Sequence, residues 1–340
     1  MISVPDDNRS VDIATPPVAS LQAIQLPIRD KLEDVSRAMG EIVASDLPLV
    51  GQVSAHLLAM RGKLFRPTLL LLSSEVEGTP KKSAVTVAAA LELIHLATLV
   101  HDDAVDHSAL RRGMPTVNAL FSHQISVIMG DFLYSTALTH LVALGDLDAL
   151  QALTRASTEM TLGEMRQLAV TDPLAFTEQE YNALIRSKTA SLMRTACELG
   201  ALSGARRYTE VLGNFGENLG MAFQIADDLL DYREAEATTG KPSGLDLREH
   251  KVTLPLIHAL REMSPAARRE VEHLFASDAV EDDDLATVVR IVAENGGFEY
   301  ARERGEEFAE RAHDALSGLP DTVARGSLSA SISYVMERHS

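Results

Sequence analysis

Cysteine and tryptophan are almost missing from this sequence of 340 residues, which contains one cysteine, Cys197, and no tryptophan. A single thiol cannot form an intramolecular disulfide, and it leaves no cysteine-based metal site. Basic residues are also few, since 31 Lys and Arg stand against 49 Asp and Glu and give a formal charge of −18. This balance argues against a nucleic-acid-binding surface. Any cluster of basic residues is therefore expected to bind something small.

Long uninterrupted apolar runs are missing as well. The nearest approach to a membrane span is residues 84–100, where Glu92 and His95 break the apolar stretch, so we expect a buried helix and no transmembrane segment. The first 20 residues carry Asp and Pro early and have no apolar core of signal-peptide length. We expect residues 1–20 to form a flexible tail and residues 21–340 to form one domain of a cytoplasmic protein.

Signals for β-strands are weak throughout the chain. Aromatic residues make up 4% of the sequence, and no run of alternating β-branched residues is bounded by hairpin turns. We therefore expect an all-α, single-domain bundle of many helices. One packed helix face is predicted by apolar residues that recur at steps of three and four, namely Val211, Phe215, Leu219, Ala222, Ala226 and Leu230.

What the sequence does contain is two aspartate clusters of identical layout, Asp102 to Asp106 (DDAVD) and Asp227 to Asp231 (DDLLD). Their acidic residues are Asp102, Asp103, Asp106, Asp227, Asp228 and Asp231. On a helix this spacing places three carboxylates along one edge, where like charges repel. Mg2+ would compensate them, because it takes oxygen ligands and is commonly held by one or two carboxylates together with substrate phosphates. A solvated acidic surface is the alternative for one cluster, but the repetition favours a shared metal and phosphate site.

The few basic residues stand beside glycines, prolines and the aspartate clusters. Arg can bind phosphate oxygens through two parallel hydrogen bonds, whereas Lys acts as a movable point charge. A single Lys is more often an ordinary surface charge, so their grouping is what makes them candidates for binding two diphosphates. The candidates are Lys63, Arg66, Arg111, Arg112, Lys188, Lys241 and Lys251.

His95 lies seven residues before Asp102, which is two turns of helix and puts both side chains on roughly the same face. It could hydrogen-bond a substrate near the metals, although a lone His on an apolar helix is more often a satisfied core residue.

Together these motifs resemble the trans-isoprenyl diphosphate synthases, also called polyprenyl synthetases. The resemblance spans roughly residues 62–255, and its further motifs are Gly130-Asp131-Phe132-Leu133, Gly163-Glu164 with Gln167, Lys188-Thr189-Ala190 and Gly240-Lys241. The sequence departs from the family pattern at Arg61 and Leu64, where Gly and Arg are common, and at His250, where Gly is common. The resemblance implies a helical bundle around a deep central cavity, and a homodimer.

The chemistry implied by the resemblance is head-to-tail condensation, in which an allylic diphosphate ionises and the double bond of isopentenyl diphosphate attacks the cation. Mg2+ held by Asp102, Asp106 and Asp227 would stabilise the departing diphosphate, with Asp103, Asp228 and Asp231 completing or orienting the metal shells. The resemblance also implies roles for the other candidates. Beside the departing diphosphate it places Arg111, Lys188 and Lys251. On isopentenyl diphosphate it places Lys63, Arg66, His95 and Arg112, and near the allylic cation or its diphosphate it places Thr189 and Gln224. Lys241 is a further substrate-binding candidate.

Product length is argued from the helix ahead of Asp102, because an allylic tail must run back along the same face. In the family, large aromatic residues four or five positions earlier close the cavity about one helical turn, roughly 6–7 Å, from the metals. Here those positions hold the small residues Thr98 and Ala97, with Ile94 beyond them and Phe132 as a candidate deeper wall. We expect a long-chain product, which could bring the enzyme to a membrane surface.

Four other functions are compatible with parts of the pattern. A short-chain farnesyl or geranylgeranyl diphosphate synthase would result if a side chain from another helix closed the tunnel. A class I terpene cyclase normally mixes Asn, Ser or Thr with Glu in its second metal motif, and a noncatalytic synthase subunit should have lost an acidic or basic motif. A di-iron bundle would need two Glu-x-x-His pairs, and the sequence offers one, Glu92 to His95.

Overall fold

The computed structural model describes residues 20–60, 62–236, 244–277 and 280–337, and this part of the chain is almost entirely helical. The helices are α1 (Leu21–Gln25), α2 (Arg29–Ile42), α3 (Pro48–Ala59), α4 (Phe65–Ser74), α5 (Ala84–Val105), α6 (Val117–Leu120), α7 (His123–Leu144), α8 (Leu147–Leu168), α9 (Glu178–Ile185), α10 (Ser191–Gly204), α11 (Thr209–Glu236), α12 (Leu245–Arg248), α13 (Leu254–Glu262), α14 (Pro265–Ala276), α15 (Asp282–Glu294), α16 (Gly297–Leu316) and α17 (Val323–Glu337). The expected all-α fold is confirmed. Lys241 and nearly all of the predicted tail lie outside the described residues.

The two acidic clusters lie on the long helices α5 and α11. Helix α10 packs between α4 and α11, and α5 packs against α2, α4 and α7. The predicted apolar face of α11 is confirmed, since Phe215, Leu219, Ala222 and Ala226 are buried and the two ends of the pattern are half-buried. Apolar packing therefore carries both helices through the interior and leaves their acidic ends beside a cavity.

Helix α9 starts at the capping box that the sequence predicts. The Glu180 amide donates to Thr177 Oγ1 at 3.3 Å, and the Thr177 amide donates to Glu180 Oε2 at 2.8 Å. The helix then continues into a π-helical segment, Arg186–Ala190, before α10 begins. Such segments are rare and are frequently found at functional sites. This one carries Lys188 and Thr189.

A glycine lets the π-helical segment lie close against α11. A Cβ atom added at Gly220 would stand 2.6 Å from the Ala190 Cα. That distance is shorter than side chains tolerate, so any larger residue would push the segment away from α11. The separation of Lys188 and Thr189 from the second acidic cluster therefore depends on Gly220.

One feature that the sequence analysis did not predict is a small antiparallel hairpin made of β1 (Leu110–Arg111) and β2 (Met114–Pro115). Its two central residues, Arg112 and Gly113, have φ values of 52° and 75°. Positive φ at both positions is typical of a type I′ turn, which matches the twist of a short hairpin. The hairpin directs two consecutive arginines to different parts of the site.

Two helices are long and apolar enough to cross a membrane by length and composition alone, α5 and α7. The apolar window of α5 is 61% buried within the chain, so α5 is a core helix, as the sequence indicated. The corresponding window of α7 is only 28% buried. Apolar side chains of α7, among them Ile128 and Val142, are therefore left exposed by the described chain.

Candidate active site

The first acidic cluster lies at the C-terminal end of α5. Asp103 is buried and accepts hydrogen bonds from Arg111 Nε at 2.8 and 2.9 Å, one on each carboxylate oxygen. Asp106 caps the helix and is exposed. The middle aspartate is therefore committed to an arginine of the chain, whereas Asp106 faces outward.

Asp102 is poorly compensated by its surroundings. Burial, followed by the charge of Glu164, raises the pKa of Asp102 to about 6, although Lys188 and Arg111 act to lower it. The ionised form of Asp102 is thus disfavoured without an additional cation. A divalent cation bound here would remove that penalty.

The second acidic cluster is supported by neighbouring side chains and by backbone amides. Buried Asp228 accepts hydrogen bonds from the Tyr181 hydroxyl at 2.6 Å and from Gln224 Nε2 at 2.8 Å. Asp231 accepts from the backbone amides of Leu245 and Asp246, both at 3.0 Å, and so caps the start of α12. Asp227, the first residue of this cluster, is exposed.

Both clusters border one cavity of about 620 Å³. Asp106 contributes to its lining from the first cluster and Asp228 from the second. The cations Lys188 and Lys251 line the same cavity. One carboxylate from each acidic cluster therefore borders the same pocket.

The π-helical segment presents Lys188 and Thr189 to this cavity. Lys188 Nζ lies 2.8 Å from Glu164 Oε1 and donates to Gln167 Oε1 at 2.7 Å, so α8 holds the ammonium group. Thr189 Oγ1 donates to Gln224 Oε1 at 2.6 Å. The π-helical segment thus contributes one cation and one neutral hydroxyl to the lining of the cavity.

Lys251 reaches the cavity from the segment after α12. Burial lowers the pKa of Lys251, but the hydrogen bond and charge of Glu249 outweigh it, so that the net shift is upward. The charges of Asp246 and Asp106 act in the same direction. Lys251 is therefore a cation that interacts with Asp106 of the first acidic cluster and with Asp246 of α12.

A second group of basic residues lies around Gly62 and α5. Arg66 Nη1 lies 2.9 Å from His95 Nε2, and because a guanidinium only donates, His95 accepts with a neutral ring. Burial followed by the charges of Arg66 and Arg112 holds the pKa of His95 well below its usual value. Arg112 packs on Gly62 and donates to the Met60 carbonyl at 3.0 Å. Glu92 is the buried carboxylate whose charge acts on this arginine pair.

Polar atoms in this second group are left without partners in the described chain. Arg66 Nε and Glu92 Oε2 are both buried and make no hydrogen bond there. Buried polar groups are nearly always paired, so these atoms indicate that a polar ligand or water completes the group. Lys63 extends the group outward and donates to the Tyr334 hydroxyl at 3.1 Å.

The chain-length candidates lie away from the cavity lining. Ala97 and Ile94 are buried inside the bundle, whereas Thr98 and Phe132 are half-buried. Thr98 Oγ1 donates to the His95 carbonyl at 2.8 Å, as helical threonines often do. The proposed tail path along α5 therefore stays a prediction.

Sequence reasoning did not identify Tyr181 or Asp246 as site residues. Asp246 lines the cavity, and burial followed by the charge of Asp231 raises its pKa to about 7, while Lys251 lowers it. Tyr181 stands seven residues before Lys188, two turns away, and this spacing could have indicated it. No local sequence pattern indicates Asp246. Its position depends on a tertiary contact, in which its backbone amide donates to the Asp231 carboxylate.

The donor set fits an open divalent metal site. Within residues 20–60, 62–236, 244–277 and 280–337, no three His, Cys, Asp or Glu side chains form a ready-made metal cluster. Mg2+ commonly lacks such a cage, since one or two carboxylates and the substrate phosphates hold it together. The exposed Asp106 and Asp227 and the poorly compensated Asp102 supply oxygen donors of this kind.

Comparison with known proteins identifies the family. Residues 47–292 match the polyprenyl synthetase family. The chain belongs to this family. Octaprenyl diphosphate synthase of Escherichia coli K12 is 36% identical over 315 residues, which cover 91% of this chain and 96% of that protein. The chain is accordingly a prenyltransferase that condenses isopentenyl diphosphate with an allylic diphosphate.

Solved structures agree with this membership. A decaprenyl diphosphate synthase from Rhodobacter capsulatus superimposes with a TM-score of 0.89 at 34% identity, covering 94% of this chain and 100% of that chain. A polyprenyl synthase from Caulobacter crescentus CB15, solved with calcium and isoprenyl diphosphate, gives a TM-score of 0.89 at 31% identity and covers 96% and 100% of the two chains. The family fold therefore extends over nearly all of the chain.

Replacing Asp102 by Asn should stabilise the metal-free enzyme at pH 7. Because folding raises the pKa of Asp102 from 3.8 to about 6, the folded state binds more protons between these values, and stability falls as pH rises through them. The neutral amide removes this loss, which is at most roughly 3 kcal/mol at about 1.4 kcal/mol per pKa unit. Urea unfolding with EDTA at pH 4, 5, 6 and 7 measures the difference.

Asp148→Asn is the matched control, because exposed Asp148 pairs with Arg206 outside the cavity. Its free energy of unfolding should change little at any pH. An Asp102→Asn enzyme that is equally or less stable than the wild type at pH 7 would show that Asp102 is already compensated by the chain.

Proposed function

We propose that this enzyme is a Mg2+-dependent, long-chain trans-polyprenyl diphosphate synthase. The observation that carries the proposal is the single cavity bordered by both acidic clusters and by Lys188 and Lys251. An ionising allylic diphosphate develops negative charge on its leaving group, and fixed cations placed there stabilise that charge in the transition state. A cavity lined by both carboxylates and lysines provides such an environment.

Mg2+, when bound, would neutralise diphosphate oxygens and link them to carboxylates. The residues proposed to hold it are Asp102, Asp106 and Asp227, while Asp103, Asp228 and Asp231 are engaged by donors from the chain. Lys188 and Lys251 bind the diphosphate as mobile point charges. Thr189 and Gln224 place a hydroxyl and an amide oxygen beside the site of ionisation.

Isopentenyl diphosphate is proposed to bind at the second basic group. Lys63, Arg66 and Arg112 supply cations, and neutral His95 is held in place by the Arg66 guanidinium. The buried Arg66 Nε has no hydrogen-bond partner in the described chain and supplies a donor for a second diphosphate. Arg111 and Arg112, adjacent in the hairpin, would then contact the two different diphosphates.

A long product is supported by the small residues ahead of Asp102. Ala97 and Thr98 leave the interior face of α5 without a large aromatic group one turn from the carboxylates. The relatives named octaprenyl and decaprenyl diphosphate synthases agree with this expectation. We also propose that the enzyme is cytoplasmic and that its long apolar product brings it to a membrane surface.

Purified enzyme incubated with Mg2+, isopentenyl diphosphate and allylic starters of different lengths should form products longer than twenty carbons. Hydrolysis of the products and chromatography against standards identifies both the starter and the product length. Omission of divalent cation with EDTA should abolish turnover, because the carboxylate-lined cavity would repel the diphosphate. Products that stop at fifteen or twenty carbons would favour the short-chain alternative, and cyclic hydrocarbons would favour a terpene cyclase.

Enlarging Ala97 should shorten the product. In the series Ala97→Val, Ala97→Leu and Ala97→Phe, the longest product should fall stepwise as the side chain blocks more of the proposed path along α5. Product distributions at equal conversion measure the effect. If all three variants lose activity but give an unchanged product distribution, the tail runs elsewhere. Ala97 is buried, so overpacking there lowers stability and activity without any contact with the tail.

We also propose that the enzyme is a homodimer joined through α7. The helix has a mean hydropathy of 1.4, yet most of its apolar window is not covered by the described chain. Ile128 and Val142 are 65% and 60% exposed, and Met165 on neighbouring α8 is 60% exposed. Several exposed apolar side chains on neighbouring helices mark an interaction site, and a second copy presents the same side chains.

Sedimentation velocity should therefore give twice the chain mass of 36.8 kDa. Ile128→Glu should shift the enzyme toward monomer, because it would bury an unpaired charge in each half of the interface. Val323→Glu is the control, since Val323 is 72% exposed on α17 and carries the same substitution away from α7. A dimer that survives Ile128→Glu unchanged would rule out this face.

A further inference from the structure

Tyr181 connects α9 to the second acidic cluster through a short buried hydrogen bond. The side chain is 2% exposed, and its hydroxyl donates to Asp228 Oδ2 at 2.6 Å. Asp228 is also buried and takes its second hydrogen bond from Gln224 at 2.8 Å. One carboxylate thus receives one donor from α9 and another from its own helix.

The hydrogen bonds continue from Asp228 to the π-helical segment. Gln224 Nε2 donates to Asp228 Oδ1, and Gln224 Oε1 accepts from Thr189 Oγ1 at 2.6 Å. These partners fix which end of the Gln224 amide faces which neighbour. One chain of hydrogen bonds therefore runs along the cavity wall through Tyr181, Asp228, Gln224 and Thr189, and all four residues line the cavity.

Helix α9 is itself anchored at its first turn, outside the cavity. Glu178 accepts from the Tyr300 hydroxyl at 2.7 Å and from Arg304 Nε at 3.1 Å, which ties α9 to α16. Tyr181 stands one turn later on the same helix. The phenol thus projects from a helix whose position is set independently of the acidic cluster.

We infer that Tyr181 is a positioning residue, which holds Asp228 and through it sets the placement of Asp227 and the Gln224 amide for the metal-bound diphosphate. This inference rests on the proposed function and deepens it. The charges of Asp227 and Asp228 act on each other, so rotation of the buried Asp228 carboxylate would change the field at the neighbouring ligand. Without the phenol, one carboxylate oxygen would lose its donor, and an unsatisfied buried acceptor turns toward water or the nearest cation.

The phenol is the donor in its contact with Asp228. Burial, followed by the charge of Asp228 and the hydrogen bond to it, raises the pKa of Tyr181 well above its usual value. A permanently protonated donor can fix the orientation of a carboxylate without competing with it for a metal ion. Residues that hold metal ligands in this way commonly matter almost as much as the ligands.

Tyr181→Phe tests the inference, with Tyr300→Phe as the matched control. Both substitutions remove one hydroxyl donated to a carboxylate, and both affect α9, but only Tyr181 borders the cavity. In Tyr181→Phe, kcat should fall and the Mg2+ concentration for half-maximal rate should rise about 10-fold or more, while KM for isopentenyl diphosphate stays unchanged. Tyr300→Phe should match the wild type in these constants.

A second measurement does not depend on turnover. Mg2+ with inorganic diphosphate should raise the melting temperature of the wild type and of Tyr300→Phe, and should raise that of Tyr181→Phe less. Equal shifts and equal kinetics in the two variants would overturn the inference. So would a Tyr181→Phe defect confined to KM for the allylic substrate with unchanged Mg2+ dependence, because that result would mean direct substrate contact.

A wild type without Mg2+-dependent turnover would contradict the proposed function instead, and the melting shifts would still test the role of Tyr181.

Discussion

Burial and mutual repulsion disfavour the ionised carboxylates around the cavity that both acidic clusters border. Asp102 has a pKa raised to about 6 although Lys188 and Arg111 lie near it, and Asp246 has a pKa raised to about 7 although Lys251 lies near it. These carboxylates stay together because the apolar faces of their helices are buried in a continuous core. The free energy of that packing offsets the repulsion until a cation with its diphosphate arrives.

Identical spacing in the two clusters does not give six equivalent carboxylates. In each cluster the second aspartate is buried and engaged by the chain, Asp103 by Arg111 and Asp228 by Tyr181 and Gln224. The last aspartates differ, because Asp106 ends α5 whereas Asp231 lies inside α11 and caps α12. The clusters therefore offer one set of outward oxygen donors and a second set that fixes neighbouring side chains and loops.

Local patterns predicted the parts of the site that lie on single helices. The acidic spacing, the apolar face of α11 and the capping box at Thr177 each depend on residues within a few turns, and the structure contains all three. The π-helical segment could not be predicted in this way, because it depends on the fit of Ala190 against Gly220 from another helix. Tyr181 and the partners of Arg66 likewise depend on tertiary contacts.

Backbone strain in the described chain is concentrated beside the same functional groups. Its non-glycine residues with positive φ are Leu64, His107, Arg112 and His250. Leu64 follows Lys63, His107 follows Asp106, and His250 precedes Lys251, while Arg112 is itself a candidate ligand. Left-handed backbone costs an ordinary residue about 1–2 kcal/mol, so it persists only where other interactions determine it.

The strained positions also explain how the sequence can depart from the family pattern without loss of the site. His250 stands where glycine is common, and a φ of 54° is the conformation that glycine adopts most easily there. Histidine is among the residues that tolerate this region, and its ring lies 5.5 Å from Phe275, so packing offsets part of the strain. Leu64 likewise packs against the core. The backbone at both positions directs the neighbouring Lys63 and Lys251, the residues proposed to bind the two diphosphates.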